Sequence, residues 1–342
     1  MTHFVSCSFR DNSTEKLRLS RRLNRIAPKV PDLTLGQLEN FDRMADLALG
    51  SFCVNGDRSH RTPGTKGMDI MNTVEKSNNI FGKTKSRNAS VAASTAPLLD
   101  IRPPEEAWEE LRQFAPHPHN LEAAKMVAGT RTDPAHVAFD VLRTRMTLAL
   151  KERGWHRVGI TSPTRGCGKS FTAANLAISF SRQEEMRTVL MDMDLNSPTL
   201  ARYLGAAGAG SISEFLSGGR SVESHFMRSA PNSPHIGSNL ALGLNEREEM
   251  FGSELIQYPT TEMAINEVQS LLDPDVMLFD LPPVLSSDVA VAMSEQLDCI
   301  LIVVSGEKSK AEEIREAERI ITGSNPVLGI VMNQAKGSRV GN

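Results

Sequence analysis

The chain has 342 residues, 40% hydrophobic and 23% charged, enough for one large α/β domain with appendages or for two modest domains, and this excludes both a lone small module and a wholly disordered chain. Its four scattered cysteines, Cys7, Cys53, Cys167 and Cys299, form no C-x-x-C pair, which argues against a disulfide framework or a zinc site and for a reducing compartment. The net charge is only −3, but residues 1–90 hold 15 Lys and Arg against 9 Asp and Glu, leaving +6 there and −9 in the rest, a basic arm on an acidic body.

No run approaches the ~18 apolar residues of a membrane span, and no signal pattern opens the chain. The expectation is therefore a cytoplasmic protein, peripheral at most to the inner face of the membrane. Residues 1–50 read as an amphipathic helical arm in two pieces parted by Pro28 and Pro31, the first carrying Leu17, Leu19, Leu23 and Ile26 among basic residues. Residues 51–132, rich in Ser, Asn, Gly, Lys and Thr up to about 104, read as a flexible linker with a short helix over 105–114. A longer helix starts at Asp133 and Pro134 and places Val137, Val141, Leu142 and Met146 on one stripe.

From 156 onward short apolar runs alternate with amphipathic segments. Strands are predicted over 157–161, 188–193, 240–244, 276–280, 299–305 and 327–332. This alternation predicts an α/β fold over 133–342: a mostly parallel sheet with helices on both faces, of the P-loop NTPase class.

Three motifs carry chemistry. Gly159-Ile-Thr-Ser-Pro-Thr-Arg-Gly-Cys-Gly-Lys-Ser170 lies between a predicted strand and a predicted helix, where successive backbone N–H groups can cradle phosphate oxygens. Thr164, Arg165, Gly166, Cys167, Gly168, Lys169, Ser170 and Phe171 are the expected nucleotide contacts, with Lys169 as a point charge on the terminal phosphates and Ser170 as a magnesium ligand. Pro163 stands where the strict pattern has its first glycine. Val189-Leu-Met-Asp-Met-Asp194 ends an apolar strand in two carboxylates at alternate positions, and Val276-Met-Leu-Phe-Asp-Leu-Pro-Pro283 ends another in Asp280. Each aspartate alone could cap a helix; three at the ligand-binding ends of strands point to magnesium-ATP.

The order Thr-Ser-x-x-x-Gly-x-Gly-Lys-Ser, hydrophobic-Asp-x-Asp, Asp-x-Pro-Pro-Val-Leu resembles the cytoplasmic kinase domain of the bacterial tyrosine kinases tied to polysaccharide export, a branch of the P-loop ATPases related to Min and Par proteins. The likeness covers about 138–333. It implies an ATP- and magnesium-dependent phosphotransferase regulating exopolysaccharide or capsule biosynthesis. On it, Asp192 polarises the attacking hydroxyl and helps Ser170 and Asp280 hold magnesium, Asp194 supports Asp192, and Asn333 contacts adenine. The implied partner is a membrane polysaccharide co-polymerase or chain-length regulator, a homo-oligomer is compatible, and no nucleic acid is expected.

The chain departs from that pattern in places. Asn196 replaces an arginine, Val137, Asp140 and Arg143 occupy the places of an oligomerisation motif, and Tyr203 and Tyr258 are its only tyrosines. Both lie within the body of the sequence and neither on the tail 336–342, so self-phosphorylation on tyrosine is expected to be weak or absent. Two further readings follow: a nucleotide switch that controls docking to the co-polymerase, and a Par- or Min-type positioning ATPase, whose loop has lysine where this chain has Thr164.

Overall fold

The computed structural model describes residues 4–9, as backbone, and 102–335 apart from 232, 234 and 235. The helices expected within 12–50, the linker from 51 to 101 and the tail from 336 lie outside the described residues. The strands are β1 (Phe4–Phe9), β2 (Arg112–Phe114), β3 (Arg157–Thr161), β4 (Thr188–Asp192), β5 (Met227–Ser229), β6 (Leu240–Gly243), β7 (Val276–Asp280), β8 (Cys299–Ser305) and β9 (Val327–Ala335). They form one sheet in the order β1-β9-β8-β3-β7-β4-β6-β5-β2. Neighbours from β9 to β6 run parallel. At the margins β1 is antiparallel to β9, and β5 is antiparallel to β6.

The central strands are apolar runs because both sheet faces are covered. Every residue of β4, β7 and β8 is buried. Side chains alternate between the two layers: Leu190 and Leu278 join one core, Val189 and Met277 the other, as the two-residue period of a strand requires. On the first face lie α1 (Ala135–Arg153) and α2 (Lys169–Ser181), on the second α3 (Pro259–Leu272) and α4 (Ala311–Thr322). Helix α2 is buried at all but one of its positions, which accounts for its uncharged sequence after Lys169.

Two expectations are corrected. The buried stripe of α1 is Phe139, Leu142, Met146 and Leu150, while Val137 and Val141 are 54% and 46% exposed. Steps of three and four residues from Phe139 stay on one face, and Val137 and Val141 fall off it. The folded body also reaches beyond 133–342: Phe4–Phe9, within the arm expected to be helical, is strand β1 on β9, and the rest of the body begins by Arg102. A helix over Pro104–Glu110 stops when Leu111 turns extended, and the next three residues pair with β5. Trp108, Leu111, Leu121 and Met126 from this stretch are buried in the same cores. Asp133 does start α1 as expected, its Oδ1 accepting the Ala135 N–H at 2.8 Å. No helix among the described residues is long and apolar enough to cross a membrane.

Beside the second core His225 ends the short helix Val222–His225, fully buried, its ring stacked on Phe215 at 5.3 Å. Burial, then the Arg220 charge, pushes its pKa from 6.5 down to about 4. The folded protein thus takes up this proton later than the unfolded chain, so stability is full above pH 6.5 and falls as pH drops toward 4. Replacing His225→Leu removes that proton-linked loss. Between pH 7 and pH 4 the variant should gain about 3 kcal/mol relative to wild type in denaturant unfolding; a pH-independent difference would contradict the buried neutral imidazole.

Candidate nucleotide site

Register brings the three motifs to one edge. Within the sheet β7 lies between β3 and β4, Ile160 of β3 pairs with Asp280, and Asp192 of β4 pairs with Asp280 from the other side. The carboxyl ends of the three strands therefore meet, where open α/β sheets bind ligands.

The loop after β3 turns into α2 through Gly166 and Gly168, at φ +82° and +88°. Those angles favour glycine, and a Cβ on Gly168 would come within 2.0 Å of Asn333 Nδ2. No side chain caps the start of α2, and its first helical bond runs from Thr172 N–H to the Gly168 carbonyl at 2.9 Å. The N–H groups of Gly166, Cys167, Gly168, Lys169 and Ser170 lie ahead of that bond, the position from which a helix start binds an anion.

At the head of α2 the buried Lys169 Nζ lies 2.5 Å from Asp194 Oδ2, 3.4 Å from Asp280 Oδ1 and 3.1 Å from Ser170 Oγ. Burial works against this ammonium, but the charges of Asp280, Asp194 and Asp192 outweigh it and hold Lys169 above its ordinary range. Asp192 is fully buried. Its Oδ2 accepts the Thr199 and Leu200 N–H groups at 3.1 and 3.0 Å, fixing the start of the next short helix. Burial, then the Asp280 charge, pushes the Asp192 carboxyl well above the usual range. Burial likewise raises Asp280, against the pull of Lys169 and Ser170.

The residues present fit magnesium. Asp280 Oδ2 is buried without a hydrogen-bond partner, and three carboxylates face a single lysine. Among the described residues no group of three or more His, Cys, Asp or Glu is arranged as a metal cage, but a magnesium shared with phosphates needs only one or two protein ligands. Ser170 and Asp280 are best placed to serve.

The other expected contacts divide. Thr164 Oγ1 lies 3.8 Å from Cys167 Sγ, and its carbonyl accepts the Ser162 hydroxyl at 2.8 Å. Arg165 is exposed. The Phe171 ring packs edge-on against Phe139 at 5.9 Å. Both polar atoms of the Asn333 amide are engaged within the chain: Nδ2 donates to the Cys167 carbonyl at 3.1 Å and Oδ1 accepts the Gln334 N–H at 2.9 Å. Asn333 buttresses the loop from β9. Tyr203 is half-buried, whereas Tyr258 is 58% exposed at the start of α3. Sequence reasoning missed Lys308, whose Nζ stands 3.0 Å from where a Cβ on Gly166 would lie; its one sequence signal is a lysine just past the carboxyl end of an apolar strand.

A glycine-bent loop between strand and helix, a buried lysine and aspartates at the ends of neighbouring strands define a P-loop NTPase. A family model described as ParA, NUBPL iron-transfer P-loop NTPase, matches residues 155–338, and the chain belongs to that family. Among curated relatives it is 32% identical over 203 residues to the putative tyrosine-protein kinase EpsB of Ralstonia solanacearum, which covers 59% of this chain and 26% of that protein. It is 27% identical over 202 residues to the tyrosine-protein kinase YwqD of Bacillus subtilis, covering 59% of this chain and 81% of that one. The chain thus spans about a quarter of EpsB. The kinase domain of the Escherichia coli tyrosine kinase ETK superposes with a TM-score of 0.56 at 19% identity, covering 64% of this chain and 82% of that one. The chimerical protein CapA2B2 gives 0.56 at 20% identity, with 66% and 93% covered. The fold is shared with these domains.

Removing the Lys169 ammonium leaves two buried carboxylates without their counter-charge. Chemical unfolding without nucleotide should show Lys169→Met about 3 kcal/mol less stable than wild type, and Lys169→Met/Asp194→Asn should recover part of the loss. Wild-type stability in the single variant would contradict the buried ion cluster.

Proposed function

We propose that this chain binds magnesium-ATP at the loop and passes the γ-phosphoryl to a tyrosine hydroxyl of a partner protein, within the regulation of exopolysaccharide or capsule biosynthesis. The observation that carries the reading is Lys169 held by Asp194 and Asp280 beside a loop of backbone N–H groups, with buried Asp192 next to them. The likeness to EpsB and YwqD supports the kinase assignment.

The residues divide the work as follows. Backbone N–H groups from Gly166 to Phe171 hold the phosphates, and Lys169 neutralises charge that builds on them. Ser170 and Asp280, with Asp192 beside them, would hold magnesium, which supplies further neutralisation when bound. Asp192 takes the proton of the attacking hydroxyl as its oxygen bonds to the γ-phosphorus and the bond to ADP breaks. Burial and the Asp280 charge raise its pKa, the direction that favours a proton-accepting carboxylate. Asp194 keeps Lys169 in place. The partner we assign is a membrane polysaccharide co-polymerase or chain-length regulator, with the chain recruited to the inner face of the membrane.

A second reading, a nucleotide switch controlling that docking, is favoured by one observation: of two tyrosines, Tyr203 packs against the core and only Tyr258 is well exposed. Radiolabelled ATP separates the two. Wild type should label an added tyrosine-containing protein and itself only weakly. In Asp192→Asn the rate should fall on the order of 100-fold with little change in nucleotide affinity. Phosphate released to solvent with no protein label would select the switch; stoichiometric label on Tyr258 would make the chain an autokinase.

A further inference from the structure

We infer that Lys308 is a second, same-chain phosphate contact, a cation brought over the loop from the turn between β8 and α4 to meet the terminal phosphate of a nucleoside triphosphate. The inference rests on the nucleotide reading above and adds a residue to it.

The first observation is position. Lys308 Nζ lies 3.0 Å from the point a Gly166 Cβ would occupy, so the ammonium is set directly against the loop at Gly166. With a φ of +82°, Gly166 also has the backbone conformation that side chains resist. The second is the build of the turn. Ser305 Oγ accepts the N–H groups of Glu307 and Lys308 at 3.2 and 3.1 Å. The Ser305 N–H donates to Ser309 Oγ at 2.9 Å, and the Gly306 N–H donates to the Asn333 carbonyl at 2.8 Å.

The turn is also joined to the phosphate loop. Ser309 Oγ lies 3.4 Å from Cys167 Sγ, and the Asn333 amide that buttresses Cys167 belongs to the same bracket. Lys308 is therefore presented by a constrained turn that is tied to the loop.

The third observation is charge. Lys169 is already matched by Asp194 and Asp280, so it brings no net positive charge to an arriving triphosphate. Lys308 has no ion-pair partner among the described residues and is exposed. A lysine ammonium serves phosphate as a compact point charge on a flexible stem, and its attraction grows with the charge on the last phosphate.

Calorimetric titration of the full chain with magnesium-ATP and magnesium-ADP tests this directly. Lys308→Gln should weaken ATP binding about tenfold, or about 1.4 kcal/mol, and ADP binding less, with Lys308→Arg near wild type. The melting temperature without nucleotide should not move, because the side chain is exposed. Unchanged ATP affinity in Lys308→Gln, or equal losses for ATP and ADP, would overturn the terminal-phosphate contact while leaving the site intact. A wild-type chain that binds neither nucleotide would overturn the nucleotide reading, and this inference with it.

Discussion

The Lys169 ammonium is held between Asp194 and Asp280, 2.5 and 3.4 Å away and nearly out of water. Taking such charges from solvent costs several kcal/mol per ion, which the mutual attraction offsets only if the geometry is close. Asp280 ends β7 and Asp194 lies two residues past the end of β4, so the sheet must deliver both to one point. That demand links the core to the site. Each parallel pairing that buries the apolar runs of β3, β7 and β4 also sets where Ser170, Asp280 and Asp192 end up.

Asp192 shows how one residue answers two requirements. Its carboxylate secures the start of a short helix through two backbone N–H groups, the role that a cautious reading assigns to any such aspartate. The same burial and the neighbouring Asp280 raise its affinity for a proton. Structural capping and proton acceptance are therefore compatible here. Asp280 differs: one of its oxygens is left without a partner, which makes it the group most in need of a cation.

Much of this arrangement is legible in the amino-acid sequence. The six predicted strands appear at 157, 188, 240, 276, 299 and 327 because buried parallel strands are unbroken apolar runs, and the three motifs sit at their ends because ligand-binding loops follow the strands. What is not legible depends on distant pairing. In β1 the alternation Val5-Ser6-Cys7-Ser8-Phe9 is present, but its partner β9 lies more than 300 residues away. Three-residue β2 and β5 exist only through each other and β6. The predicted α1 stripe is misplaced because Val137 and Val141 are apolar yet off the buried face. Lys308 and Asn333 meet the loop across gaps of more than 140 residues, a proximity no local pattern encodes.

The central claim is that Asp280 and Ser170 complete a magnesium site beside a lysine already neutralised by carboxylates. The most direct measurement is ATP affinity of wild type and Asp280→Asn with and without magnesium. Wild type should bind about tenfold or more tightly when magnesium is present, and Asp280→Asn should keep the magnesium-free affinity but lose most of that gain. An undiminished magnesium effect in Asp280→Asn would contradict the account.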